Sequence, residues 1–226
     1  MKRLIPILLA LSVVLPLFGC AKKPSDPQEG ASEAAYRFTD AEGLAFTDLL
    51  AYSGPYLEDG SNEELQNVTA IRVANRSEQQ IQYAEFTVAS TAGDLHFTCT
   101  TLLPGKTMLL LEQNRTPFTG AAVNGVKTDN RLLFTDPPSL YPDTFSVSVS
   151  GHVMTLRNLS ESPVPGNIYV YFKRVNGEGY VGGITYRVHF SDLAAGAEAS
   201  MSSQNLSGSE CEILFIGCEN PPEVRS

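Results

Sequence analysis

Ile71-Arg-Val-Ala-Asn75-Arg-Ser77-Glu78 and Met154-Thr-Leu-Arg-Asn158-Leu-Ser160-Glu161 are two versions of one segment, 83 residues apart. In both, apolar and polar residues alternate into an Asn-x-Ser-Glu turn, the pattern of a half-buried strand that ends in an Asx-type turn. Further on, Leu102 to Asn114 matches Leu193 to Asn205 at an offset of 91, with Gly105 on Gly196, Gln113 on Gln204 and Asn114 on Asn205. The offset therefore grows by 8 residues between the two anchors. Asn176 to Gly183 in the second copy stands where the first has only Thr91-Ala92-Gly93-Asp94, so the growth falls in a hairpin loop, where related folds tolerate it.

Working outward, Val68–Val73, Ile81–Ala89, Leu95–Thr101, Met108–Glu112, Phe145–Val149, Val153–Leu156, Ile168–Val175, Ile184–Phe190 and Glu212–Ile216 read as strands. Short strands separated by turn residues point to β-sandwiches. Thr39 to Tyr52 reads instead as a short helix, with Thr39 as cap and Glu42 as its reciprocal partner. Period two puts Leu95, Phe97 and Cys99, and their matches Tyr186, Val188 and Phe190, on one face of a strand, the buried one. The expected class is all-β, with one sandwich over residues 37–136 and a second over 143–226. Between them lies the Pro-rich linker 137–142, stiffened by Pro137, Pro138 and Pro142.

The 226 residues are 42% hydrophobic, and 18 Gly with 14 Pro is an ordinary share, so collagen, coiled coil and a mostly disordered chain are excluded. A formal charge of −9 argues against nucleic acid as a partner, because phosphate recognition needs a basic patch. The chain begins Met1-Lys2-Arg3, continues apolar from Leu4 to Phe18 and reaches Gly19-Cys20, the parts of an export signal over residues 1–19. Its apolar run is too short to span a bilayer. Residues 20–36, with Pro24, Pro27 and Gly30, read as a flexible tether.

Leu17-Phe18-Gly19-Cys20 resembles the lipobox of bacterial lipoproteins, with Phe18 departing from the usual small or β-branched residue. The resemblance implies a diacylglyceryl group on the Cys20 thiol, cleavage after Gly19 and anchorage on the outer face of the cell membrane. Cleavage would leave 14 basic against 25 acidic side chains, a formal −11, so membrane contact is expected through the acyl chains alone. The repeat, with its Asn-x-Ser turn, glycine hairpin and Leu-x-x-Gly turn, resembles the small immunoglobulin-like domains of bacterial surface lipoproteins. It is similar to tandem-domain lipoproteins of Firmicutes that carry no assigned activity, and that resemblance implies no catalytic residues.

Gly177-Glu-Gly179-Tyr-Val-Gly182-Gly183 matches the dinucleotide fingerprint in letters, but a strand, Ile184 to Phe190, follows it where a helix N-terminus is required. It reads as a plain hairpin loop whose glycines supply positive φ. Glu58, Asp59, Glu63 and Glu64 concentrate carboxylates in a turn; they are weak calcium candidates, since the run lacks the alternation of an EF-hand loop, and a solvated acidic turn is the simpler reading. Cys99, Cys211 and Cys218 are disulfide candidates, although Cys211 and Cys218 would lie about 23 Å apart if the segment between them is extended. His96 and Cys99, three apart on a strand, point to opposite faces and cannot act together. Five Asn-x-Ser/Thr sequences, at Asn67, Asn75, Asn114, Asn158 and Asn205, read as turn formers.

No cofactor is expected. A non-enzymatic, lipid-anchored protein with a binding or structural role is the expected function, and its partner would be a protein or another component of the cell envelope. The alternatives are a solute-binding lipoprotein of a transport system and a wall-polymer enzyme working through scattered carboxylates.

Overall fold

Residues 36–222 are described in the computed structural model, so the signal segment, Cys20 and residues 21–35 of the tether lie outside the described residues. Every regular element among the described residues is a strand: β1 (Tyr36–Thr39), β2 (Leu44–Thr47), β3 (Leu50–Tyr56), β4 (Glu63–Asn75), β5 (Ile81–Ser90), β6 (Gly93–Leu102), β7 (Thr107–Leu111), β8 (Val123–Leu133), β9 (Phe145–Ser150), β10 (Val153–Asn158), β11 (Val164–Asn176), β12 (Gly179–Val181), β13 (Tyr186–Leu193), β14 (Glu198–Ser202) and β15 (Cys211–Cys218). All nine strands expected from alternation form.

The helix expected over Thr39 to Tyr52 does not form. Asp40, one residue beyond the expected cap, accepts the amides of Glu42 (2.9 Å) and Leu44 (2.8 Å) with its Oδ1. Gly43 takes φ +87°, and the chain reverses into the β1–β2 hairpin. Leu44, Ala45, Phe46 and Thr47 are all buried, so β2 is covered on both faces and shows no alternation.

In the N-terminal half, β2, β4 and β7 pair antiparallel, with β1 beside β2 and β3 beside β4. A second sheet runs β6–β5–β8. Leu44, Phe46, Ile71, Val73, Met108 and Leu110 of the first sheet share a core with Ile81, Phe86, Val88, Phe97 and Cys99 of the second. Each such side chain, fully buried, contributes about 1.5–3 kcal/mol. The C-terminal half repeats this plan with β9–β10–β14 facing β13–β11–β15. The anticipated buried face is present, with Leu95, Phe97, Cys99, Tyr186, Val188 and Phe190 all buried.

The correspondence between the halves extends to individual hydrogen bonds. Asn75 opposes Leu44 of β2, and Asn158 opposes Phe145 of β9. Both asparagines are fully buried. Asn75 donates Nδ2 to the carbonyls of Gln79 and Leu102, while its Oδ1 accepts the amide and hydroxyl of Ser77. Asn158 donates to the carbonyls of Ser162, Leu193 and Ala194, and its Oδ1 accepts both groups of Ser160. Thr101 and Asp192, matched at offset 91, both take the left-handed conformation (φ +52° and +49°), as do Gly105 and Gly196.

Asn176 to Gly183 is not a plain hairpin loop. It holds β12, whose Gly179 and Tyr180 pair antiparallel with Asn176 and Val175 at the end of β11, and whose Tyr180 and Val181 pair parallel with Met108 and Leu109 of β7 in the other half. β12 thereby joins the halves into one sheet, β1–β2–β4–β7–β12–β11–β13. Its edge hydrogen bonds go to the opposite half, which is where a three-residue strand finds its stability.

Candidate functional site: the joint between the halves

On β11, Ile168, Val170 and Phe172 point into the C-terminal core. Lys173 points to the other face, where a lysine would ordinarily meet water, but the N-terminal half covers it completely. Its Nζ donates to the carbonyls of Gly183 (3.0 Å) and Ile184 (2.7 Å) and stands 5.9 Å from the centre of the Tyr180 ring. From the N-terminal half, Glu58 accepts the Leu111 amide on Oε1 (2.8 Å) and the Gly183 amide on Oε2 (2.7 Å). Glu58 and Lys173 thus hold the N–H and the C=O of one residue, Gly183, without forming an ion pair with each other. The Gly183 carbonyl also accepts the Thr100 amide (2.7 Å) and hydroxyl (3.0 Å) from β6.

Burial without direct pairing disfavours both charged forms. Desolvation pushes Glu58 up to about 7 and Lys173 down to about 7. Hydrogen bonds from the Leu111 and Gly183 amides and the Lys173 charge pull Glu58 the other way and do not cancel its burial. A neutral amine has two N–H donors, and Lys173 has two carbonyls to receive them.

The glycines in and just after β12 permit this approach. A Cβ at Gly183 would lie 2.0 Å from the Thr98 carbonyl oxygen, one at Gly182 would lie 2.7 Å from Leu57 Cβ, and one at Gly179 would lie 2.2 Å from Thr107 Oγ1. Around them, Tyr180 of the C-terminal half fills the N-terminal core and donates its hydroxyl to Glu212 (3.1 Å). Lys106 reaches the same carboxylate across the joint (2.8 Å). Arg72 pairs with Glu178, and Arg174 donates to Asn62, which donates in turn to Asn205. Beside the joint, Tyr52, Leu57, Arg174, Val181 and Glu210 line a cleft of about 660 Å³.

The four acidic candidates are not brought together. Glu58 turns inward, and Asp59 and Glu63 flank Arg115 (2.7 and 2.6 Å), whose guanidinium lies 4.5 Å over the Tyr56 ring. Glu64 is exposed opposite Pro55 in the β3–β4 ladder. Hydrogen bonds from Ser61, with help from Arg115, hold Asp59 below the usual carboxylate range. No group of three or more His, Cys, Asp or Glu side chains among the described residues has metal-binding geometry. The three thiols are free: Cys99 lies in the N-terminal core with its thiol pushed up to about 12 by burial, and Cys211 and Cys218 occupy opposite ends of β15. His96 is exposed on the strand that buries Cys99, as period two requires.

Sequence reasoning singled out Glu58 only as a weak calcium candidate in a solvated turn and missed Lys173. Their only sequence signals are a lysine placed inside an apolar strand and four glycines within the residues by which the second copy exceeds the first. No protein-family model matches this chain, and no curated protein matches it either.

Proposed function

We propose that this is a lipid-anchored protein of the extracytoplasmic membrane face with a non-enzymatic binding or structural role. It carries two tandem immunoglobulin-like β-sandwich domains, residues 37–136 and 143–226, as a single arm on the tether that begins at Cys20. The observation that carries this reading is the joint. Its buried acid and base are committed to the backbone of Gly183, Leu111 and Ile184, an arrangement that joins the two units rather than one that offers reacting groups to a substrate. The lipobox-like Leu17-Phe18-Gly19-Cys20 supports anchorage. Mass spectrometry of protein extracted from membranes tests the anchor: a diacylglyceryl group on Cys20 is expected, and an intact Met1 or an unmodified Cys20 refutes it. Crosslinking in intact cells followed by affinity capture tests the role, with an envelope protein or polymer as the expected partner.

The cleft beside the joint favours one second reading, a solute-binding lipoprotein of a transport system, because pockets between units are common ligand sites. Specific retention of a small solute by the purified protein would favour it over the structural role.

A further inference from the structure

We propose that Glu58 and Lys173, acting on the two sides of Gly183, make the joint between the halves a proton-responsive hinge that is loosest near neutral pH and tightens toward both acid and base. In the closed joint each group is desolvated and faces a backbone partner, with no ion pair between them to offset that cost. In an opened joint both regain water and their ordinary protonation.

The surroundings leave these two groups to set the response. Cys99 on β6 faces Lys173, and Tyr180 on β12 places its ring beside the Lys173 amine. Tyr56 at the end of β3 and Tyr186 on β13 both feel the Glu58 charge. Burial pushes Cys99, Tyr56 and Tyr186 up to about 12 and Tyr180 higher still, so all four keep their protons between pH 5 and 9. Glu212, opposite Lys173 on β15, is bonded to Lys106 and to the Tyr180 hydroxyl. Asp59 is held in the low carboxylate range, and Arg174 donates to Asn62.

The sign follows from linkage. Glu58 binds its proton more tightly closed (about 7) than open (4.5), so it favours closure at low pH and loses that contribution as pH rises to 7. Lys173 binds its proton less tightly closed (about 7) than open (10.5), so it favours closure increasingly as pH rises above 7. Together these place the minimum near pH 7, with closure about eightfold more favourable at pH 5.5 and at pH 8.5.

Hydrogen–deuterium exchange on the full chain, corrected for the intrinsic pH dependence of amide exchange, reads this directly. Protection of the Thr100, Leu111, Gly182 and Gly183 amides should pass through a minimum near pH 7, while Phe86 and Val170 in the two cores stay protected throughout. In Lys173→Met the alkaline arm should vanish, and in Glu58→Gln the acid arm should vanish, leaving one-sided profiles. If either variant fails to fold, the wild-type profile with the other variant decides. A profile flat within twofold in the wild type, or joint amides that exchange only together with the core amides, overturns the proposal.

Discussion

Replacing Gly183 by alanine should loosen the joint between the halves. The added Cβ would stand 2.0 Å from the Thr98 carbonyl oxygen, 3.1 Å from its carbon and 2.9 Å from Glu58 Oε2. Because the obstacle is backbone in the middle of β6, the Gly183 peptide must withdraw by more than an ångström. Four hydrogen bonds depend on its present place: to Glu58, from the Thr100 amide, from the Thr100 hydroxyl and from Lys173. At about 1 kcal/mol each, and somewhat more for those to charged partners, the loss comes to about 4–5 kcal/mol. Gly183 does not have a positive φ, so the effect is steric, with no backbone strain. Gly125→Ala on β8 is the control, since nothing lies within 4 Å of its Cβ position and its φ is also unexceptional; its effect should stay below about 1 kcal/mol. Urea denaturation followed by tyrosine fluorescence and by circular dichroism measures both. Wild-type and Gly125→Ala protein should unfold in one coincident transition, and Gly183→Ala should unfold earlier with the two probes separating. A Gly183→Ala midpoint equal to that of Gly125→Ala would refute the packing argument.

Three further outcomes are expected. Asn75→Ala and Asn158→Ala each strip a buried network of four or five hydrogen bonds and should each cost about 2–4 kcal/mol by denaturation, with similar size because the networks match; a loss below 1 kcal/mol in either would contradict their equivalence. Tyr180→Phe loses one hydrogen bond to Glu212, about 1 kcal/mol, whereas Tyr180→Ala empties a core position and should cost about 3–5 kcal/mol. If the two substitutions cost the same, the ring does not fill that core. Iodoacetamide at pH 8 should alkylate the half-buried Cys211 and Cys218 slowly and leave Cys99 untouched until unfolding, because only the thiolate reacts and Cys99 is both buried and pushed up to about 12; peptide mapping that finds Cys99 modified first would contradict its placement.

Most of the strands legible in the sequence have one wet face, while β4 and β7 were legible although both of their faces are covered. β5, β6, β11 and β13 alternate because one side meets a core and the other meets solvent, and the face carrying Leu95, Phe97 and Cys99 could be named in advance. β2 was illegible because it has only four residues, all of them buried, too short a run to show any alternation. β8 was illegible for a different reason: its Val-Asn-Gly-Val-Lys-Thr-Asp-Asn-Arg-Leu-Leu is largely exposed, pairs on one side only and shifts register three times against β5. Glu58 sits in a run of acidic residues that reads as a solvated turn, and its burial depends on Gly183, 125 positions away. Local pattern carries no information on such a contact, and Lys173 was hidden in the same way, buried by the opposite half rather than by its own sheet.

The joint is built from what the two halves do not share. Glu58 follows β3, a strand with no counterpart in the C-terminal half, and β12 lies in the residues that only the second copy has. The receiving edge differs as well. Leu109 and Leu111 of β7 are buried in a cluster with Tyr56 and Ala70, against which Val181 packs. Their matches at offset 91 are Ser200 and Ser202 of β14, both exposed, and the match of Thr100 is the exposed Ser191. A further unit of the same kind would therefore meet hydroxyls and water where β12 meets leucine, and would find no carboxylate placed to hold its glycine amide. Each leucine that becomes serine removes about 1.5–3 kcal/mol of apolar burial from such a contact, more than a three-residue strand can recover through its hydrogen bonds. The two halves thus play different parts in this contact, the C-terminal one offering β12 and the N-terminal one the apolar edge and the carboxylate that receive it.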